Sequence, residues 1–391
     1  MLYQVKQYPE DFVVEEIMLK WVPSWHWDFL YIFFEKKNLT TMEIVDYLSQ
    51  IFHIQRDEIW IAWLKDKAWI TRQWLSVSKQ TLNRIWWEDK FLQMLWNKVQ
   101  ILEKSFNESP LKVASNEWNK FQIRLRAKQE ISQEIKNQIE LNVNKIREKW
   151  FPNCFGMQRF WKWKKNFYEA KDRLFFLAEQ YRENWKLTNE DLPYHLRFML
   201  QAYASMYFNE YVLNRREKWL FMLQWDVLVN RYSWIGVETA VYDSWKMMKF
   251  DYQKLKKEKT ECWFFEPENE WELESFDFNK WLPTWPMLGW NLLLSKEWTK
   301  ARVRDNQLLQ LAKFDENVQN VCKIYSLWWI RRVLFVRVPE LHFEWDKDDI
   351  LLEFSLPTWS YATVLLAFVL EWIDHLTLKD NSLIIPRISS K

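Results

Sequence analysis

"AWLKDKAWITRQWLSV", residues 62–77, sets a charged Lys65-Asp66-Lys67 knot between two tryptophans and then runs into a strand-like alternation. Trp63 and Trp69 stand where turn chemistry asks for glycine, which tolerates positive φ and lets other groups approach the backbone. The same oddity runs through the chain. At average usage 391 residues hold roughly 27 glycines, yet this sequence has 3 (Gly156, Gly236 and Gly289) and 30 tryptophans. Many tryptophans lie in turn-like contexts: "PSWHWD" at 23–28, "RIWWEDK" at 84–90, "PTWP" at 283–286, "LWWIRR" at 327–332 and "PTWSYAT" at 357–363. Tryptophan is a poor occupant of such places. We therefore expect most of them to be glycines misread: UGA means tryptophan in some variant genetic codes and glycine in others. A UGA-glycine gene translated with the wrong table keeps only its GGN glycines.

The remaining bounds are ordinary. The length allows two domains and a sizeable core. Charged residues make up 28% and the net charge is +2, so charge alone does not argue for a nucleic-acid partner. Cys154, Cys262 and Cys322 lack C-x-x-C spacing, which fits a reducing compartment and argues against a disulfide or zinc framework. The five histidines, His26, His53, His195, His342 and His375, are scattered without metal spacing. "MLYQVKQYPEDF" has no apolar signal region, and the apolar run near "YATVLLAFVLEWI" is too short to span a bilayer. A soluble cytoplasmic protein is expected.

Patterning gives the elements. "DFVVEEI" and "DFLYIFFEK" read as strands, and "TTMEIVDYLSQIF" as a helix with a Thr cap and Glu43 behind it. "NKFQIRLRAK" at 119–128 is a strand, followed by a helix over "SQEIKNQIELNVNKIREK". Helical signal dominates 168–224; "DVLVNRYS" returns to strand, and the charged "KLKKEKTE" at 254–261 reads as a solvated loop or helix face. "RVLFVRV" and "DDILLEFSLP" are strands and "TVLLAFVLEWI" a helix. Mixed ends around a helical middle suit an α+β domain interrupted by a second domain.

With glycine at the suspect places the opening stretch becomes "AGLKDKAGITRQWLSV", which closely resembles the signature of the tRNA pseudouridine synthase D (TruD) family. Further segments resemble the family in its own order. "KQYPEDFVVEEI" at 6–17 looks like its Pro-Glu-Asp-Phe strand, and "WNKFQIRLR" at 118–126 like its Gly-Asn-x-Phe strand with Trp118 at the glycine. "FPNCFGMQRFW" at 151–161 keeps Gly156 but has Trp161 at the next glycine, and "LPTWSYAT" at 356–363 has Trp359 at a glycine. The departures are almost all glycine to tryptophan, whereas ordinary divergence would scatter. Trp74 suits its family position and is expected to be genuine.

The resemblance implies a pseudouridine synthase catalytic domain with a mostly antiparallel mixed sheet in 1–152 and 341–391, and a TruD-specific inserted domain in 153–340. It implies isomerisation of uridine to pseudouridine in a folded tRNA, at uridine 13, by a monomer without cofactor or metal. The alternative is a catalytically inactive RNA-binding or RNA-chaperone protein on the same fold. The family's aspartate nucleophile falls on Asp66. Phe12, Asn119, Phe121 and Tyr361 fall on the residues that hold the base, although strand phenylalanines are otherwise mostly core. An ionised carboxylate covered by substrate favours a nearby cation; Lys65 is adjacent, but neighbours on a strand point to opposite faces, so an Arg or Lys from another motif is the alternative partner, and Lys6 is a candidate. Gln158 and Arg159 lie in a family motif. Lys162, Lys164, Lys165, Arg331 and Arg332 are candidates for tRNA phosphates.

Overall fold

Alternation decides the first sheet. The computed structural model describes residues 2–18, 28–62, 64–65, 67–85, 88–111, 116–160, 164–183, 186–188, 190–192, 194–217, 226–230, 264–265, 281–290, 292, 294–295, 297–327, 331–371 and 376. In strand β2 (Phe12–Met18), which follows the short β1 (Tyr3–Val5), Phe12, Val14 and Glu16 are buried while Val13, Glu15 and Ile17 are half-buried. Such period-two burial is what a strand with one covered face requires. β3 (Phe29–Lys36), β4 (Ile59–Ile61), β5 (Ile70–Ser78), β6 (Gln100–Asn107) and β7 (Asn116–Ala127) follow, and His342–Asp346 and Asp349–Pro357 come from near the end of the chain. The sheet runs His342–Asp346, Asp349–Pro357, β7, β2, β5, β3, β6, with β1 on β7 and β4 on β5. β2 and β5 pair in parallel and their neighbours antiparallel, so the fold is α+β on a mixed, mostly antiparallel sheet.

Helix α1 (Thr41–Phe52) begins at a capping box. The Glu43 N–H donates to the Thr40 hydroxyl (3.0 Å) and the Glu43 carboxylate accepts from the Thr40 N–H (2.6 Å), which satisfies donors that a helix start leaves open. Its buried Ile44, Val45 and Leu48 share one core with Leu30, Ile32 and Phe34 of β3 and Leu75 and Val77 of β5.

The chain forms two compact units. The sheet and α1 belong to the first, built from 1–147 and 338–359; the second takes 148–234, 251–337 and 360–391. The second holds the helices Lys165–Arg182, Tyr194–Glu217, Lys300–Leu311, Glu316–Ile324 and Ala362–Val369. Its four-stranded sheet runs Phe264–Phe265, Val227–Asn230, Trp281–Pro286, Arg331–Val333. "RVLFVRV", expected as one strand, is split: Arg331–Val333 pairs with Trp281–Pro286, and Phe335–Val336 pairs with Phe151–Pro152. Arg331 and Arg332, expected as candidates for phosphates, are buried. Arg331 donates to Thr284 and faces Asp305, and Arg332 donates to Asn153. A guanidinium inside a protein needs such partners, and these two are committed to packing.

The tryptophans divide. Trp74 is buried and stacks on Phe33 with ring centroids 5.0 Å apart, an ordinary aromatic contact. Trp298 and Trp359 sit at φ 69° and 71°, the left-handed region, and Trp298 is 99% exposed. Trp285, expected in a turn, lies inside the strand Trp281–Pro286. It is buried with its ring centroid 3.3 Å from that of Tyr211, and its indole N–H finds no acceptor among the described residues. "KLKKEKTE", Trp25, Trp27, Trp63, Trp161 and Gly236 lie outside the described residues.

Candidate active site

Register brings the site residues of the first unit together. In the antiparallel pair of β2 and β7, Val14 faces Phe121 and Glu16 faces Asn119. Directly opposed residues project to the same side and alternate residues share it. Phe12, Val14 and Glu16 therefore lie on one face with Asn119 and Phe121, the face on which α1 covers the neighbouring strands. Phe354 joins them opposite Phe121.

The aromatic half of this face is closed. Phe12 and Phe121 are 5% and 8% exposed, so both pack in the core of the unit. Phe121 stacks on Phe354 at 5.3 Å and meets Phe12 edge-on at 6.1 Å; the other neighbour of Phe12 is Trp69 at 5.8 Å. The Lys6 ammonium lies 4.1 Å from the Phe12 centroid and 4.3 Å from that of Trp69, within cation–π range.

The polar half is a chain of hydrogen bonds. The Lys65 N–H donates to the Thr41 hydroxyl (2.9 Å), and that hydroxyl donates to Gln73 Oε1 (3.1 Å), so the segment before Asp66 is tied to the start of α1 and to β5. The Lys65 ammonium donates to Asn119 Oδ1 (2.8 Å) and lies 3.1 Å from Glu16 Oε1, an ion pair. Glu16 Oε2 accepts the Trp74 N–H at 3.3 Å. Burial pushes the Glu16 carboxyl above the usual carboxylate range, while Lys65 and the buried Lys36 oppose the shift. Asn119 Oδ1 takes a second, longer bond from Asn116 Nδ2 (3.3 Å), and the Asn116 carbonyl accepts from Thr358 Oγ1 (2.6 Å). Glu16 lies in the segment 6–17 without being among its candidate site residues; its parity with Phe12 is the signal that finds it. Asp66 itself lies outside the described residues.

Tyr361 belongs to the second unit and is the N-cap of the helix Ala362–Val369. Its ring centroid is 5.9 Å from that of Phe155, over which the Arg332 guanidinium sits at 4.1 Å. Asn153 Oδ1 accepts from Arg332 and from Ser360 Oγ (3.0 Å). Gly156 is a true close approach: a Cβ there would meet Thr363 Oγ1 at 2.5 Å and Gln158 Oε1 at 2.7 Å. Gln158 accepts from Thr363, and the buried Arg159 donates to Gln201, so this motif serves packing inside its unit. Lys165 is exposed beside Glu169, and Lys162 lies outside the described residues. Among the described residues no cluster of His, Cys, Asp and Glu could hold a metal, and no helix is long and apolar enough to cross a membrane.

The family profile for tRNA pseudouridine synthase D (TruD) matches residues 3–174. The chain is 33% identical to the tRNA pseudouridine synthase D of Wolinella succinogenes over 213 residues, 54% of each chain. It thus spans about half the length of the first curated relatives it matches. With the protein of the same name from Campylobacter jejuni it is 28% identical over 94% of this chain and 95% of that one. A crystal structure described as a tRNA pseudouridine synthase D (TruD) from Methanosarcina mazei shares the fold, with a TM-score of 0.60 at 18% identity over 94% of this chain and 93% of that one. Over these stretches the chain is similar to proteins of the TruD family, and over most of its length it shares the fold of the Methanosarcina mazei structure.

Proposed function

We propose that the protein converts uridine to pseudouridine in tRNA, with Asp66 as the nucleophile. The observation that carries this reading is the register of β2 and β7. It sets Phe12, Asn119 and Phe121 on one face, with Lys65 of the Lys-Asp-Lys knot bonded to Asn119. The reaction breaks the N1 to C1′ bond, turns the uracil and rejoins it through C5. The C5 proton leaves and N1, freed from C1′, takes up a proton, so the composition is unchanged and neither cofactor nor metal is called for. An ionised Asp66 either attacks the sugar, attacks the base, or removes the C2′ proton. Asn119 reads the edge of an extruded uracil, and an aromatic stack is worth about 1–3 kcal/mol per base; the family resemblance gives that role to Phe12, Phe121 and Tyr361, although Phe12 and Phe121 are buried here. By the family resemblance the target is uridine 13, the catalyst a cytoplasmic monomer, and 153–340 the inserted domain.

Tritium release from C5-labelled uridine in an unmodified tRNA transcript is the test. The protein should release tritium, and Asp66→Asn should abolish release while keeping tRNA binding. A protein that binds tRNA without release is the inactive RNA-binding reading; an active Asp66→Asn overturns the nucleophile.

The same reading takes most tryptophans as glycines of a UGA-glycine gene. Trp298 and Trp359 in the left-handed region, and the crowded Trp285, support it. At position 69 a glycine would also uncover the face of Phe12 that Trp69 now occupies. The mass of the natural peptide over 57–72 decides: tryptophan at 60, 63 and 69 would sink the idea.

A further inference from the structure

We propose that Lys65 and Glu16 form a positioning pair that fixes the amide of Asn119, so that Asn119 offers the substrate a donor and reads a carbonyl oxygen of uracil. The inference rests on the function proposed above and adds which edge of Asn119 meets the base. An amide's oxygen and nitrogen are alike in shape, and only partners choose between its two orientations. Here the choice is forced: an ammonium has three donors and no acceptor, so the atom 2.8 Å from Lys65 Nζ is the oxygen. Asn116 Nδ2, another donor, points at the same oxygen. Asn119 Nδ2 donates to nothing among the described residues. Lys65 is held in turn by Glu16, whose side chain is 0% exposed against 14% for Lys65. A donor in this place gives a hydrogen bond to O2 or O4 of uracil. If it faces the 4-position, it also rejects cytosine, which carries an amine there. Lys65 therefore acts through Asn119.

The test measures the single-turnover rate of pseudouridine formation, tRNA Kd and Tm for Lys65→Met, Lys65→Arg, Glu16→Gln, Asn119→Asp and the double variant Glu16→Gln/Lys65→Met. The double variant removes both buried charges together and is the one expected to keep the fold. It should react at least tenfold more slowly with Kd within twofold of the parent. Lys65→Arg, which keeps donors toward Asn119, should restore most of the rate. Asn119→Asp keeps a partner for Lys65 but has no donor and should lose about a hundredfold. A double variant or Asn119→Asp that folds and reacts within twofold of an active parent overturns the inference and leaves the function standing. So does a rate loss matched by an equal loss of tRNA affinity. A parent that binds tRNA and forms no pseudouridine overturns the function and the inference with it.

Discussion

Two buried ionic networks, one in each unit, are built to opposite ends. In the second unit Asp226 accepts from Arg215 through both carboxylate oxygens (2.9 and 2.7 Å) and from Arg304 (2.9 Å), with all three side chains at most 7% exposed. Burial alone would lower the Arg215 pKa, but Asp226 outweighs it and the net shift is upward. That network closes on itself. In the first unit the chain from Glu16 through Lys65 ends on Asn119, whose amide still has donors to give. The difference teaches that buried charge fixes packing where ions bind one another and aims a group where the chain ends on a neutral amide.

The comparison can be broken in order of effect. Asp226→Ala leaves two guanidinium groups buried without their carboxylate and should cost about 3–5 kcal/mol in denaturant unfolding. A loss below about 1 kcal/mol would mean the closed network is not structural. The double variant Glu16→Gln/Lys65→Met should change stability by no more than about 1 kcal/mol, because its main effect is on rate; a loss as large as that of Asp226→Ala would make the two networks alike. Relief of backbone strain comes next. Trp359→Gly and Trp298→Gly should each stabilise by about 1–2 kcal/mol, since a side chain in the left-handed region is penalised by that much. A destabilised Trp298→Gly would contradict this most cleanly, because its exposed ring has no packing to lose.

The last effect concerns acid. Burial would raise the Asp11 carboxyl, but the Arg126 guanidinium and the Tyr8 N–H outweigh it and hold it below the usual carboxylate range. A depressed carboxyl contributes stability above its unfolded value near 4 and loses it as pH falls through the lower folded value. Asp11→Asn should therefore lower Tm at pH 6, by an amount equivalent to about 1–2 kcal/mol. That difference should shrink as pH drops below 4; a constant difference would refute it.

Much of this was legible in the letters, and the failures have physical causes. β2, β7 and α1 follow from alternation, helical spacing and a Thr-Glu cap, all local signals. Glu15 and Glu16 carry the same letter and opposite fates. Glu15 pairs with Arg72 where both are about one-third exposed, while Glu16 is buried. Alternation from Phe12 separates them, but nothing local says that Lys65 will arrive over Glu16. "RVLFVRV" misled because every residue of both short strands is buried, so no alternation marks the break. Arg331 and Arg332 read as surface because their carboxylate, hydroxyl and carbonyl partners lie 26 to 179 residues away in sequence.

The register of β7 also sets a schedule. One of its edges is taken by β2 within the first 127 residues, but the other waits for Asp349–Pro357, and the bond from the Ala127 N–H to Asp349 spans 222 residues. At a synthesis rate of about 5–20 residues per second, that edge stays open on the ribosome for roughly 10–45 s. Throughout that interval it offers unpaired backbone to any extended segment that passes, including the chain's own later strands, so the strand that carries Asn119 and Phe121 is open to wrong pairing during birth.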